Sequence, residues 1–246
     1  AAMFINSGAE AVENAVKVAR YASGRPAIIC FENAFHGRTL MGMSLTSKVK
    51  PYKFGFGPFA PEVYRMPFGD VIGPEKLKDF FIKHVNPEAV AAVVAEPVQG
   101  EGGFIAPPPG YFQELVNICR DNGILFVADE IQSGMGRTGK MFAIEHWDVE
   151  PDIMTMAKGI TSGYMPLGAV GCTDKVMAPV ENFFHLHTYG NHPVSCAAGL
   201  KNIEILQNEN LLQNSREMGN YFLDGLKTLE SHPIVGEVRG TGLWLG

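Results

Sequence analysis

Two rhythms of apolar and polar positions alternate along this chain. Residues 7–23, SGAEAVENAVKVARYAS, set Val and Ala at helical spacing behind a Ser-Gly start and predict a helix opening near Ser7. PAIICFE (26–32) predicts a short buried strand, and RTLMGMSLTS (38–47) a helix. KVKPYKFGFGPFAP (48–61), rich in Gly, Pro and aromatics, predicts an ordered surface loop. EKLKDFFIKHV (75–85) reads as an amphipathic helix, AVAAVVAEPV (89–98) as a strand ending at Glu96, and GYFQELVNICRDNG (110–123) as a helix closed by Gly123. ILFVADE (124–130), DIMTMAK (152–158) and LGAVGCT (167–173) predict three more strands. Residues 192–230 predict two consecutive helices meeting near Asn208–Asn210, and 234–246 opens strand structure again.

Continuous Val, Ile and Ala runs joined through helices indicate an α/β fold, a mainly parallel sheet covered by helices on both faces. Such sheets bind ligands at the carboxyl ends of their strands.

Composition narrows the function classes. A net charge of −6 argues against a nucleic-acid or anionic-membrane surface. No run approaches the roughly 18 apolar residues that would span a bilayer. Cys30, Cys119, Cys172 and Cys196 are scattered without metal spacing, and read as reduced thiols of a cytoplasmic protein. The seven histidines show no HExxH pattern, so no metal site is expected, and His185 with His187 reads as a surface pair. The opening AAMFINSG reads as the end of a strand and GTGLWLG as an interrupted one, so a segment of a longer protein is expected.

Three strands deliver unusual polar residues at their carboxyl ends: Glu96, Asp129 with Gln132 just beyond, and Lys158. Lys158 is the only charged side chain between Asp152 and Asp174. An ammonium in such a stretch is costly to bury, whereas a desolvated lysine is a nucleophile toward carbonyls. Taken singly, the acids read as strand-ending turn residues and Lys158 as a surface lysine with its stem on apolar neighbours. Three such accidents on one sheet edge are less economical than one shared site. Ser7, Gly8 and Ala9 stand at a helix N-terminus, where free N–H groups favour a phosphate, although Ser7 alone reads equally as an N-cap. Phe35 and His36 in FHG could cover a flat ring, and Thr188 adds a small hydroxyl in a Gly-containing loop. An amine, an acid, a phosphate cup and an aromatic cover together fit pyridoxal 5′-phosphate.

The motifs NSGAEAVE, FHGRTL, EPVQGEGG, ILFVADEIQSGMGRTG, AKGI and HTYGNHPVSCAAGL, spread over residues 6–200, resemble the class III (ω-amino acid) aminotransferases of fold type I, especially bacterial 4-aminobutyrate aminotransferases. The resemblance implies that Lys158 bonds the cofactor covalently and later moves a proton, while Asp129 keeps the pyridine nitrogen protonated. It also implies that Gln132 bonds the phenolic oxygen, Phe35 stacks on the ring, and Ser7, Gly8 and Ala9 hold the phosphate. Thr188 would reach the phosphate of the neighbouring subunit in a homodimer with shared sites. His36 would support the cofactor, while Glu101 and Glu96 would form a substrate gate, Glu101 pairing with an arginine beyond Gly246. Residues 1–207 would be the cofactor-binding large domain, lacking its N-terminal part. Residues 208–246 would be a connecting helix and the start of a small domain.

The implied reaction moves an amino group from an ω-amino acid, 4-aminobutyrate above all, to 2-oxoglutarate or pyruvate in a ping-pong cycle. HTYGNHPVSCAAGL also resembles pyruvate-dependent ω-transaminases acting on taurine, β-alanine or a diamine. An aminomutase and a cofactor-binding fragment without turnover are the further alternatives.

Overall fold

A computed structural model describes residues 1–69, 73–180 and 186–246, so His185 lies outside the described residues. Seven strands form one sheet in the order β1-β7-β6-β5-β4-β2-β3. They are β1 (Ala2–Ile5), β2 (Ala27–Phe31), β3 (Val63–Met66), β4 (Val90–Ala95), β5 (Leu125–Asp129), β6 (Ile153–Met156) and β7 (Gly168–Cys172). The run from β3 to β6 is parallel, and β7 is antiparallel to both its neighbours.

Strand residues alternate between two cores. Ala27, Ile29 and Phe31 of β2 join Phe112, Leu115 and Phe126 on one face, while Ile28 and Cys30 join Val12, Ala15 and Val16 on the other. Both faces are therefore buried, which is why β2 and β4 read as unbroken apolar runs rather than alternating ones. The second face is covered by α1 (Gly8–Ser23) with α2 (Leu40–Leu45) and α5 (Asp174–Met177). The first face is covered by α3 (Lys76–Lys83) and α4 (Tyr111–Asp121). Beyond the sheet come α6 (Pro193–Asn208), α7 (Leu211–Lys227) and a hairpin of β8 (Gly240–Thr241) and β9 (Trp244–Leu245).

The helix pair breaks where the sequence predicts, between Asn208 and Leu211. Two local features differ from expectation. Strand β3 follows the aromatic loop unannounced, because it is a half-exposed edge strand with only Met66 buried. The strand expected over 152–158 ends at Met156, and Lys158 instead opens a short 3₁₀ helix through Thr161.

Candidate active site

Because β4, β5 and β6 are parallel neighbours, the residues leaving them emerge along one edge. Glu96 follows β4, Asp129 ends β5, and Lys158 lies just past β6. Ser7, Gly8, Ala9, Phe35, His36, Glu96, Asp129, Gln132 and Lys158 all line one cavity of about 320 Å³. Glu101 and Thr188 are not among its lining residues.

Asp129 is the most constrained member, 3% exposed. Its Oδ1 accepts from Thr155 Oγ1 at 2.9 Å and from the Ile131 N–H at 3.2 Å. Thr155 reaches it because the β5–β6 register sets the two residues opposite each other. Asp129 Oδ2 lies 2.7 Å from His36 Nδ1. A carboxylate offers about four acceptor sites, so capacity remains on a side chain that faces the cavity. Burial opposes charge on His36, but the hydrogen bond and charge of Asp129 outweigh it and raise its pKa. His36 Nε2 is buried without a partner.

Glu96 is also 3% exposed. Its Oε1 accepts from the Phe35 N–H at 2.8 Å and its Oε2 from the Gly100 N–H at 3.0 Å. Burial pushes its pKa up to about 7, with His36 and the two N–H groups opposing the rise. Each oxygen of Glu96 thus accepts one backbone N–H, from segments on either side of it.

Lys158 lines the same cavity. Its side chain is exposed where it lines the open cavity, rather than buried. The surrounding walls nevertheless desolvate the amine enough to lower its pKa, against the pull of Asp129, Glu96 and Glu101. Its backbone adopts φ 44°, a left-handed conformation that costs a non-glycine residue energy and that recurs at functional sites.

At the other end of the cavity, helix α1 begins. Ser7 is its N-cap, with Oγ accepting from the Glu10 N–H at 3.2 Å. The N–H groups of Gly8 and Ala9 precede the first intrahelical bond, Ala11 N–H to Ser7 O, and so stay available to an anion. The FHG turn fits closely against this end: Gly37 has φ 118°, and a Cβ there would sit 3.3 Å from Ala9 Cβ.

Sequence reasoning missed the rim. Tyr52 packs edge-on against Phe35 with ring centroids 5.0 Å apart, and its hydroxyl donates to Glu101 Oε2 at 2.5 Å. That bond, outweighing partial desolvation, holds Glu101 below the usual carboxylate range. The Arg38 guanidinium lies 5.0 Å from the Tyr52 ring centroid and 5.8 Å from that of Phe35. The available signal was positional: Arg38 is three residues past Phe35, and Tyr52 sits in a loop too aromatic to be a mere connection.

The residues fit pyridoxal phosphate on structural grounds. An available helix N-terminus, a carboxylate with spare acceptor capacity beside a half-orphaned imidazole, an amine and an aromatic face meet in one cavity.

Comparison with known proteins points the same way. The family Aminotransferase class-III matches residues 1–246. The chain is 46% identical over 256 residues to a protein of Bacillus subtilis named as a probable 4-aminobutyrate aminotransferase, covering 98% of this chain and 58% of that protein. It is 42% identical over 248 residues to the 4-aminobutyrate aminotransferase of Escherichia coli K12, covering 98% and 58%. A crystal structure of an amine transaminase from an uncultivated Pseudomonas species, in its PLP-bound (internal aldimine) form, superposes with a TM-score of 0.92 at 33% identity, covering 98% and 60%. The chain thus spans less than two thirds of the length of these relatives.

Proposed function

The chain belongs to the class III aminotransferases, and on that premise we propose that it uses pyridoxal 5′-phosphate to move an amino group from an ω-amino acid, 4-aminobutyrate in particular, to a 2-oxo acid. The observation that carries this reading is the meeting of Lys158, Asp129 and the N-terminus of α1 in one cavity. When bound, the cofactor supplies a carbonyl that joins amines and a protonated ring that accepts the electron pair released at the substrate carbon.

The chain's own groups do the rest. Gly8 and Ala9 present backbone N–H groups to the phosphate, with Ser7 shaping the turn. Asp129, oriented by Thr155 and His36, would accept a hydrogen bond from the ring nitrogen and so keep that nitrogen protonated. Phe35 would cover the ring and Gln132 would bond the phenolic oxygen, both from the cavity lining. Lys158, whose amine is desolvated and lowered in pKa, would be the residue that holds the cofactor and would serve as the acid–base group for proton movement. Arg38, an exposed cation on the rim, receives a substrate carboxylate. Glu101, kept ionised by Tyr52, is the gate carboxylate. The protein works as a homodimer in the cytoplasm, with Thr188 contributing to the neighbouring subunit's phosphate site.

The relatives named for 4-aminobutyrate and the position of Glu101 favour a dicarboxylic acceptor. The second reading, a pyruvate-dependent ω-transaminase for taurine, β-alanine or a diamine, draws on HTYGNHPVSCAAGL. The test is spectroscopic. The chain is mixed with pyridoxal phosphate, freed of excess, and its visible spectrum recorded beside that of Lys158→Ala. A lysine-dependent visible band is expected in the parent alone; equal spectra would overturn the reading. Adding 4-aminobutyrate, then 2-oxoglutarate or pyruvate, shows which acceptor restores the band.

A further inference from the structure

Glu96 sits where two separate segments approach the cavity. One is the turn over 32–38 that leaves β2 and carries Phe35; the other is the loop over 98–105 that carries Glu101. Its carboxylate joins them directly, one oxygen on the Phe35 N–H and the other on the Gly100 N–H. A second tie runs parallel: Gln99 Nε2 donates to Glu32 O at 2.8 Å. On the outer side a third segment bridges the same two, because Glu101 accepts from Tyr52 and the Tyr52 ring packs on Phe35.

These contacts close a circuit: Phe35 backbone, Glu96, Gly100 and Glu101, Tyr52, Phe35 ring. We propose that Glu96 is a positioning residue that couples the Glu101 gate to the aromatic cover Phe35, so that neither segment shifts without the other. The physical basis is the rigidity of the inner link. At 3% exposure the Glu96 carboxyl has no water to replace either N–H partner, so breaking either bond is costly. The Tyr52–Glu101 link is on the surface and weaker, and is the member of the circuit that can open. Once Glu101 leaves Tyr52, the Tyr52 ring loses the bond that holds it edge-on against Phe35. The state of the gate is thus read at the ring face.

The functional consequence rests on the proposed cofactor site, but the coupling can be read without cofactor. Hydrogen–deuterium exchange is measured on the whole cofactor-free chain, as parent, Glu96→Gln, Tyr52→Phe and the double variant. Glu96→Gln replaces one acceptor oxygen by an amide, and is expected to speed exchange in residues 35–38 and 99–104 together by about tenfold or more, with α4 and β5 unchanged. Tyr52→Phe keeps the ring and removes the hydroxyl, and is expected to speed exchange in the same two segments more modestly. The double variant is expected to fall short of the product of the single effects, as members of one circuit do. Should Glu96→Gln unfold, Glu96→Asp, which keeps the charge but is too short to span both N–H groups, takes its place. Acceleration in one segment only, uniform acceleration, or strictly multiplicative effects would overturn the coupling. Failure of the parent to bind pyridoxal phosphate would overturn the proposed function and leave the exchange result standing.

Discussion

Thr155 and Asp129 lie directly across the β5–β6 ladder, and the threonine hydroxyl donates to the carboxylate at 2.9 Å. With His36 on the other oxygen, the acid is held in one orientation before any ligand arrives. Preorganisation of this kind costs nothing at the moment of reaction.

Asp129→Asn should therefore bind pyridoxal phosphate but slow amino transfer by about a hundredfold or more, the scale on which one preorganised electrostatic partner acts. Single-turnover rates with 4-aminobutyrate measure it. A near-parental rate would remove Asp129 from its proposed role. Thr155→Val, which keeps shape and loses the hydroxyl, should fall between the two.

Stability should depend on pH with a definite sign. Burial pushes the carboxyls of Glu96 and Glu130 up to about 7 from an ordinary 4.5. Each binds its proton more tightly folded than unfolded, so the stability it contributes is complete below about pH 4.5 and lost as pH rises through 7. His36, raised by Asp129, acts in the same direction. Melting temperatures of the cofactor-free chain should fall between about pH 5 and 8, by an amount worth a few kcal/mol. Glu130→Gln, which cannot ionise, should flatten the slope even though the substitution disturbs the bonds to Ser133 and Ile144.

Gly168 tests the phosphate end. A Cβ there would lie 2.5 Å from the carbonyl oxygen of Ser7, a backbone atom with little room to move. Gly168→Ala should push the N-cap of α1 away from β7, weakening binding of pyridoxal phosphate about tenfold or more and lowering stability by roughly 1–3 kcal/mol, as overpacking does. Fluorescence titration and thermal melts separate the two effects.

Arg38→Ala should raise KM for amino donors that carry a carboxylate by about tenfold or more, the loss expected for one charge-assisted contact, while an amine without a carboxylate is scarcely affected. Equal losses for both donors would place Arg38 in support of Phe35 and Tyr52 instead.

Much of this protein was legible before any coordinates. Apolar runs without alternation revealed strands buried on both faces, and a helix start at Ser7 followed from small and capping residues. The polar residues at the ends of three such strands could be placed on one edge, because parallel neighbours bring their carboxyl ends together. What the chain could not declare was which atoms those groups touch. Glu96 reads as a second acid beside Glu101, and nothing in its local sequence names the Phe35 N–H, 61 residues away, as its partner. Lys158 has apolar sequence neighbours, yet its side chain lines an open cavity and its backbone adopts φ 44°. Tyr52 meets Glu101 across 49 residues of chain, and Thr155 meets Asp129 across 26. Periodicity reports the environment of a backbone segment, which is local; the partner of a side chain is set by packing between segments distant in sequence, and that only the tertiary structure decides.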